Sequence, residues 1–144
     1  IPVYRPYWEG AEDTETRKKY PLQMISHHFK GRTHSTYGNL PRNVEAHPQK
    51  IWINPIDAAE RGITNGDQMD VFNDRGHIRC QAYVTPRILP GVIDVPQGAW
   101  LKLDEEGIDH GGAANMLYSA HVTPYSKGNP QQTALVQAAK APTA

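Results

Sequence analysis

A chain of 144 residues with 15 basic and 15 acidic side chains carries no net formal charge, which argues against the broad basic face that nucleic-acid binding demands. One domain of this length buries roughly two thirds of the surface its unfolded chain would expose, so a self-sufficient core is expected. A hydrophobic content of 38% with 12 Gly and 12 Pro favours short strands joined by many turns, and no run approaches the ~20 apolar residues of a membrane-spanning helix.

The chain opens Ile1-Pro2-Val3-Tyr4, with neither an initiator methionine nor the plan of a signal peptide, and so reads as a piece cut from something longer. Residues 1–19 are polar, mixed in charge and without apolar period, which predicts a linker arriving from upstream domains. The domain proper is expected at 20–140 and a frayed tail at 141–144. Leu22 to Ile25 is a short apolar run after a proline and reads as a first strand.

That strand feeds Ser26-His27-His28-Phe29-Lys30-Gly31-Arg32-Thr33-His34-Ser35, which gathers three imidazoles, two permanent cations, a glycine and three hydroxyls without an acid. From Pro21 to Val44 the formal charge comes only from Lys30, Arg32 and Arg42, while Glu9, Glu12, Asp13 and Glu15 all lie upstream. In a chain with balanced charge, a local excess of this kind points to a phosphate-bearing ligand. Arg32 offers a planar fork of donors that matches phosphate oxygens, with Ser35 and backbone amides to complete the cradle and Gly31 to let the backbone come close. The other reading is a solvated surface loop. The two adjacent histidines and the gap to His34 match neither a helical metal pair nor a zinc-ribbon spacing.

Ile51 to Ile53 is a second strand, after which Asn54-Pro55 supplies an N-cap and a proline at the first helical position. A helix of about two turns should follow and end at Gly62. Asn65-Gly66 marks a turn; Met69 and Val71 then alternate with Gln68, Asp70 and Asn73 as in a half-buried strand. Asp74-Arg75-Gly76 reverses the chain into a strand with Ile78, Cys80, Ala82 and Val84 on one face. The single cysteine falls among apolar partners and so reads as core, and it excludes an internal disulfide framework.

Val92 to Val95 is another short strand, residues 97–132 are mostly loop, and a last strand runs over Thr133–Gln137. Two parts of the late region carry no acid: His110–Asn115, and Ser126–Thr133 with Asn129, Gln131 and Gln132. A carboxamide pairs a donor and an acceptor on one plane, which suits the edge of a purine or pterin, although Asn and Gly are also ordinary turn formers. Trp100, after a glycine-containing turn, reads either as a cover over a ligand or as core. There is no GxSxG elbow, GxGxxG or phosphate-binding GxxxxGK[ST].

Five segments taken together carry a resemblance: residues 26–39 (SHHFKGRTHSTYGN), 52–76 (WINPIDAAERGITNGDQMDVFNDRG), 84–100 (VTPRILPGVIDVPQGAW), 111–117 (GGAANML) and 126–137 (SKGNPQQTALVQ). In order and spacing, from about Tyr20 to Lys140, they resemble the C-terminal domain of molybdopterin oxidoreductases, especially the catalytic subunits of anaerobic dimethyl sulfoxide reductases. The resemblance implies a mainly β fold, a six-stranded double-psi β-barrel of the aspartate decarboxylase-like class with short helices. It implies one molybdopterin guanine dinucleotide as ligand, its molybdenum or tungsten ligated outside this chain. Carried over by position, Ser26, His27, Arg32, Thr33, His34 and Ser35 match the family's cofactor loop, Asn115 its later asparagine, Gln132 or Thr133 the site before the last strand, and Trp100 an aromatic position. Tyr118-Ser119 stands where members often have a threonine.

The same resemblance implies a catalytic subunit that reduces S- or N-oxides in anaerobic respiration. Its other domains would complete the site, an iron-sulfur subunit would deliver electrons, and a membrane anchor would hold the complex at the periplasmic face of the cytoplasmic membrane. No turnover is expected of these residues alone, and neither nucleic acid nor direct membrane insertion is expected. Two other readings remain: a stand-alone double-psi barrel acting as an adaptor or substrate-recruiting module, and a small enzyme of the aspartate decarboxylase type. The second would need a self-processing Gly-Ser step, and the chain contains no Gly-Ser dipeptide.

Overall fold

The computed structural model describes residues 1–4, 6–130 and 132–142. In chain order its strands are β1 (Leu22–Ile25), β2 (Lys50–Ile53), β3 (Gln68–Phe72), β4 (His77–Val84), β5 (Val92–Asp94) and β6 (Ala134–Lys140), with short helices α1 (Thr14–Lys19), α2 (Pro41–Ala46) and α3 (Pro55–Glu60). The strands close into a barrel in the order β1-β5-β2-β4-β3-β6. The pairs β1–β5 and β2–β4 are parallel and the other four are antiparallel, as a mainly β barrel of the double-psi type requires.

Alternation fills the interior. Leu22 and Met24, Ile51 and Ile53, Met69 and Val71, Ile78, Cys80 and Ala82, and Ala134 and Val136 all point into one core. Full burial of each larger side chain is worth roughly 1.5–3 kcal/mol, which is what drives these short strands together. β3 departs from plain alternation: Asp70 is buried as well, because Arg79 on β4 forks onto its carboxylate at 2.5 and 2.8 Å. β6 runs on to Lys140, past the expected Gln137, since Met69 to Phe72 of β3 pair with its whole second half.

Local chemistry sets the connections. Asn54 caps α3 by accepting from Ile56 N at 2.9 Å and donates to Ile88 O at 2.6 Å, while Asp57 accepts from Gly91 N at 2.7 Å. The helix cap therefore also pins the β4–β5 connection. Gly62 ends α3 at φ +63°, the left-handed conformation expected there. The stretch read from composition as a linker contains α1, and Trp8 and Glu9 dock it on the barrel. Trp8 donates to Ser119 Oγ at 3.2 Å, and the buried Glu9 accepts a fork from Arg75 at 2.7 Å on each oxygen together with Leu135 N at 2.8 Å. Of the expected tail, Ala141 is buried and donates to Gln68 O at 2.9 Å, whereas Thr143 and Ala144 lie outside the described residues.

The register has one consequence for function. β1, β3 and β5 end, and β2, β4 and β6 begin, at the same end of the barrel. The connections 26–49 and 95–133 both rise from that end, and between them they contain all ten of the expected cofactor-binding residues.

Candidate cofactor-binding site

The loop after β1 is rooted at the barrel mouth. Gln132 accepts from Ser26 N at 2.9 Å and donates to Ser26 O at 3.1 Å, so its carboxamide imitates a strand neighbour. Ser26 Oγ donates to Val95 O at 2.8 Å. His27 N–H donates to Asp94 Oδ1 at 3.1 Å and its Nδ1 pairs with Asp94 Oδ2, while its ring stands edge-on to Trp52 at 5.5 Å. Burial pushes the Asp94 carboxyl above the usual carboxylate range, and the His27 charge and hydrogen bonds pull the other way. Beside them the Tyr118 hydroxyl is buried without a hydrogen-bond partner among the described residues, and burial raises its pKa.

Beyond the mouth, the loop interlocks with the segment after β5. Trp100 Nε1 donates to Ser35 O at 2.6 Å, Gln97 Nε2 lies 2.8 Å from His28 Nδ1, and the indole of Trp100 lies against Gly38. At Gly98 (φ +83°) an added Cβ would land on the His34 carbonyl, and at Gly111 on that of Trp100. Both close approaches need glycine. His34 is itself left-handed at φ +52°, with its ring edge-on to His28 at 5.3 Å. Thr33 O accepts from Thr36 N and Oγ1 at 3.0 and 2.6 Å, which makes the exposed turn.

Asp109 stiffens the other wall. Fully buried, it takes the amides of Lys102 and Gly111 on one oxygen at 2.7 and 2.8 Å and that of Ala113 on the other at 2.6 Å. Its own backbone bridges to β4 through His77 O and Arg79 N at 2.9 Å each.

Between the interlocked loops and the outer wall of β4 lies a groove of about 800 Å³, within the usual range of ligand pockets, which reaches Gln68 and Lys140 where β3 begins and β6 ends. Arg32 and Trp100 line it, with Gln49, Arg79, Lys102, His110 and Lys140, and the one acid on its walls is Asp67. Most of the charge there is already spent. Arg79 pairs with Asp70, Lys140 with Asp67 at 2.8 Å and His110 with Asp104 at 2.7 Å. Arg32 and Lys102 have no acidic partner among the described residues. Arg32 donates from Nη2 to Gln49 Oε1 at 2.7 Å and to Gln97 O at 3.1 Å, its guanidinium stacks over Phe29 at 4.3 Å, and its buried Nε has no partner. Burial lowers its pKa from the usual arginine value, yet the group stays cationic.

These features test the fit of a dinucleotide. A half-buried guanidinium with an unused donor, a second free cation, a half-exposed indole and glycine-only walls suit a diphosphate joined to flat rings. Of the expected residues, the structure brings Arg32, His34, Ser35 and Trp100 together around the interlocked loops, and Ser26, His27 and Gln132 together at the barrel mouth. Asn115 sits exposed on a single 3-10 turn at Ala114–Met116, and Thr133 Oγ1 donates to Pro130 O at 3.0 Å. Of the ten expected residues, Arg32 and Trp100 alone line the groove. Gln131 lies outside the described residues. Sequence reasoning missed Gln49 and Asp94, whose partners are remote in sequence, and Asp109, whose carboxylate takes the local amides of Lys102, Gly111 and Ala113. Among the described residues no cluster of three His, Cys, Asp or Glu side chains is arranged to hold a metal ion.

A closed six-stranded barrel with a cation-bearing groove beside its two long loops is suited to hold an anionic ligand. Residues 22–135 match the model of the family described as "Molydopterin dinucleotide binding domain", and the chain belongs to that family. It is 51% identical over 142 residues to the probable dimethyl sulfoxide reductase chain YnfF of Escherichia coli (strain K12), covering 97% of this chain and 18% of that protein. It is 46% identical over 140 residues to the dimethyl sulfoxide reductase DmsA of the same organism, covering 97% and 17%. It is 39% identical over 148 residues to the dimethyl sulfoxide/trimethylamine N-oxide reductase of Cereibacter sphaeroides, covering 96% and 18%. The acetylene hydratase of Pelobacter acetylenicus shares the fold, with a TM-score of 0.77 at 22% identity over 96% of this chain and 21% of that one.

The chain therefore spans less than a fifth of the length of these curated relatives. It is a molybdopterin dinucleotide-binding domain, similar to the matching stretch of dimethyl sulfoxide reductases, and the cofactor this membership implies is molybdopterin guanine dinucleotide. The adaptor reading finds no support in the comparisons.

Proposed function

We propose that this domain serves a larger catalytic subunit that reduces S- or N-oxides, a reaction that consumes two electrons and two protons and releases water. The relatives named as reductases of dimethyl sulfoxide and trimethylamine N-oxide support that substrate class. When bound, the cofactor supplies the metal-centred oxygen-atom and electron chemistry. This chain's residues supply binding and orientation.

The observation that carries the reading is the unneutralised Arg32 guanidinium, held by Gln49 and Gln97 at the wall of the groove with no acidic partner among the described residues. In this proposal Arg32 grips the diphosphate, Ser35 and the backbone from Thr33 to Ser35 border it, and Trp100 covers a flat ring. Ser26 and His27 fix the root of the loop, with Gln132 acting through Ser26 and Asp94 through His27. Asn115, exposed, offers its carboxamide to a ring edge supplied from beyond this domain, and Thr133 secures the turn before β6. By likeness to dimethyl sulfoxide reductases, the reading extends to metal ligation by the subunit's other domains, to an iron-sulfur subunit and a membrane anchor, and to the periplasmic face of the cytoplasmic membrane.

The test is oxide-dependent oxidation of a reduced viologen by the intact subunit. Turnover with dimethyl sulfoxide or trimethylamine N-oxide supports the reading. A cofactor-loaded subunit that reduces neither overturns it.

A further inference from the structure

A second recess, of about 260 Å³, opens on the outer wall of β2 and β4; it shares His47 and Pro48 with the rim of the groove, but none of the ten expected cofactor-binding residues lines it. Its floor is aromatic. Rings continue from His47 to Phe29 (6.3 Å), then through His27 (6.2 Å) to Trp52 (5.5 Å) and on to Tyr83 (5.1 Å). Trp52 and Tyr83 are held there by the pleat, since Ile51, Ile53 and Ala82, their strand neighbours, face the core. Lys50 and Arg87 line the same recess, no carboxylate lines it, and neither cation has an acidic partner among the described residues. A soluble surface seldom leaves several large rings and two free cations around an unfilled hollow.

We propose that this recess is the seat of an acidic segment from the remaining part of the same polypeptide, whose carboxylates pair with Lys50 and Arg87 and whose apolar stem covers Trp52 and Tyr83. The inference rests on the reading of this chain as one domain of a longer subunit. Two observations choose the occupant. The curated relatives are more than five times as long as the stretch matched here, so most of the polypeptide lies outside these residues. The charge is one-sided, which selects an acidic partner and opposes a second copy of the same basic face.

In the full-length subunit, a benzophenone amino acid replacing Tyr83 is irradiated and the cross-linked peptides are sequenced, with a probe at the exposed Tyr125 as control. The expected product is a cross-link within one subunit, to a segment outside these 144 residues that carries Asp or Glu within a few positions. The charge-reversed K50E/R87E subunit should lower that yield by about tenfold. Cross-linking to a second copy, to another polypeptide or to a segment without acids overturns the proposal. So does an undiminished yield in K50E/R87E, or no product at Tyr83 while the control reacts. Neither readout depends on oxide reduction, so loss of the assigned activity and loss of this contact are told apart.

Discussion

Arg32 is held by a neutral partner: Gln49 accepts its Nη2–H at 2.7 Å and passes its own amide hydrogens to Pro96 O at 2.8 Å and Gly112 O at 3.1 Å. One carboxamide thus ties the stretch before β2 to the connection after β5 at two points while leaving the guanidinium charge free for an anion. A glutamate at the same place would neutralise that charge and leave two carbonyls without donors.

Gln49→Ala should therefore loosen both loops at once. Removing one side chain that serves three buried or half-buried partners is expected to cost about 1–3 kcal/mol of stability, read as a lower urea midpoint at unchanged slope. An unchanged midpoint would mean that water replaces the carboxamide at no cost.

Gly98 and Gly107 make a controlled pair. Both hold positive φ, +83° and +80°, but a Cβ on Gly107 meets nothing within 4 Å, whereas on Gly98 it meets the His34 carbonyl. Gly107→Ala should cost about 1 kcal/mol of backbone strain. Gly98→Ala should cost clearly more and release the Ser35–Trp100 hydrogen bond, seen as a red shift in tryptophan emission. Equal losses would refute the interlock.

Much of this was legible in residue order, for identifiable reasons. Asn54-Pro55 and Gly62 bound α3 because capping and left-handed geometry are local demands, and Ile78, Cys80 and Ala82 announce β4 because a strand has period two. α1 and α2 were not legible: each is six residues long with no buried side chain, so neither has an apolar face to betray it. Asp70 and Asp94 look like surface acids in sequence, and only strand register and loop docking bring Arg79 and His27 to them, whereas Asp109 gathers amides two, four and seven residues away in a local turn. In the same way Gln132 reads as a ring-edge donor, but 106 positions away Ser26 offers its backbone first. Arg32 was legible because its neighbourhood lacks acids, which is a property of composition and not of folding.

Stability should fall on acidification, with Asp70 as the main buried contributor. Burial raises its pKa, but the Arg79 fork and the charge on His77 outweigh burial and hold it below its ordinary value of 3.8. A depressed pKa in the folded state means that the stabilisation is complete above about pH 4 and is lost as pH falls through the lower folded value. Asp70→Asn should lower stability at neutral pH by about 1–3 kcal/mol and flatten the curve below pH 4. A parallel acid limb in the variant would assign that limb to other groups.

Cys80 should be inert in the folded chain. Burial, assisted by the charge of Asp109, pushes its thiol up to about 12. At pH 8 a disulfide reagent is expected to titrate no thiol in native protein and one after denaturation. Rapid reaction of the native protein would show that the wall between β4 and Gly112 opens.

The account turns on Arg32 as the anchor of the dinucleotide. The direct measurement is molybdenum and guanine nucleotide content per intact subunit, followed through dilution, for wild type and Arg32→Ala, with circular dichroism to confirm that both are folded. The variant is expected to hold cofactor more weakly by about 2 kcal/mol, roughly thirtyfold in affinity. Full and equally persistent occupancy in a folded Arg32→Ala subunit would contradict the account.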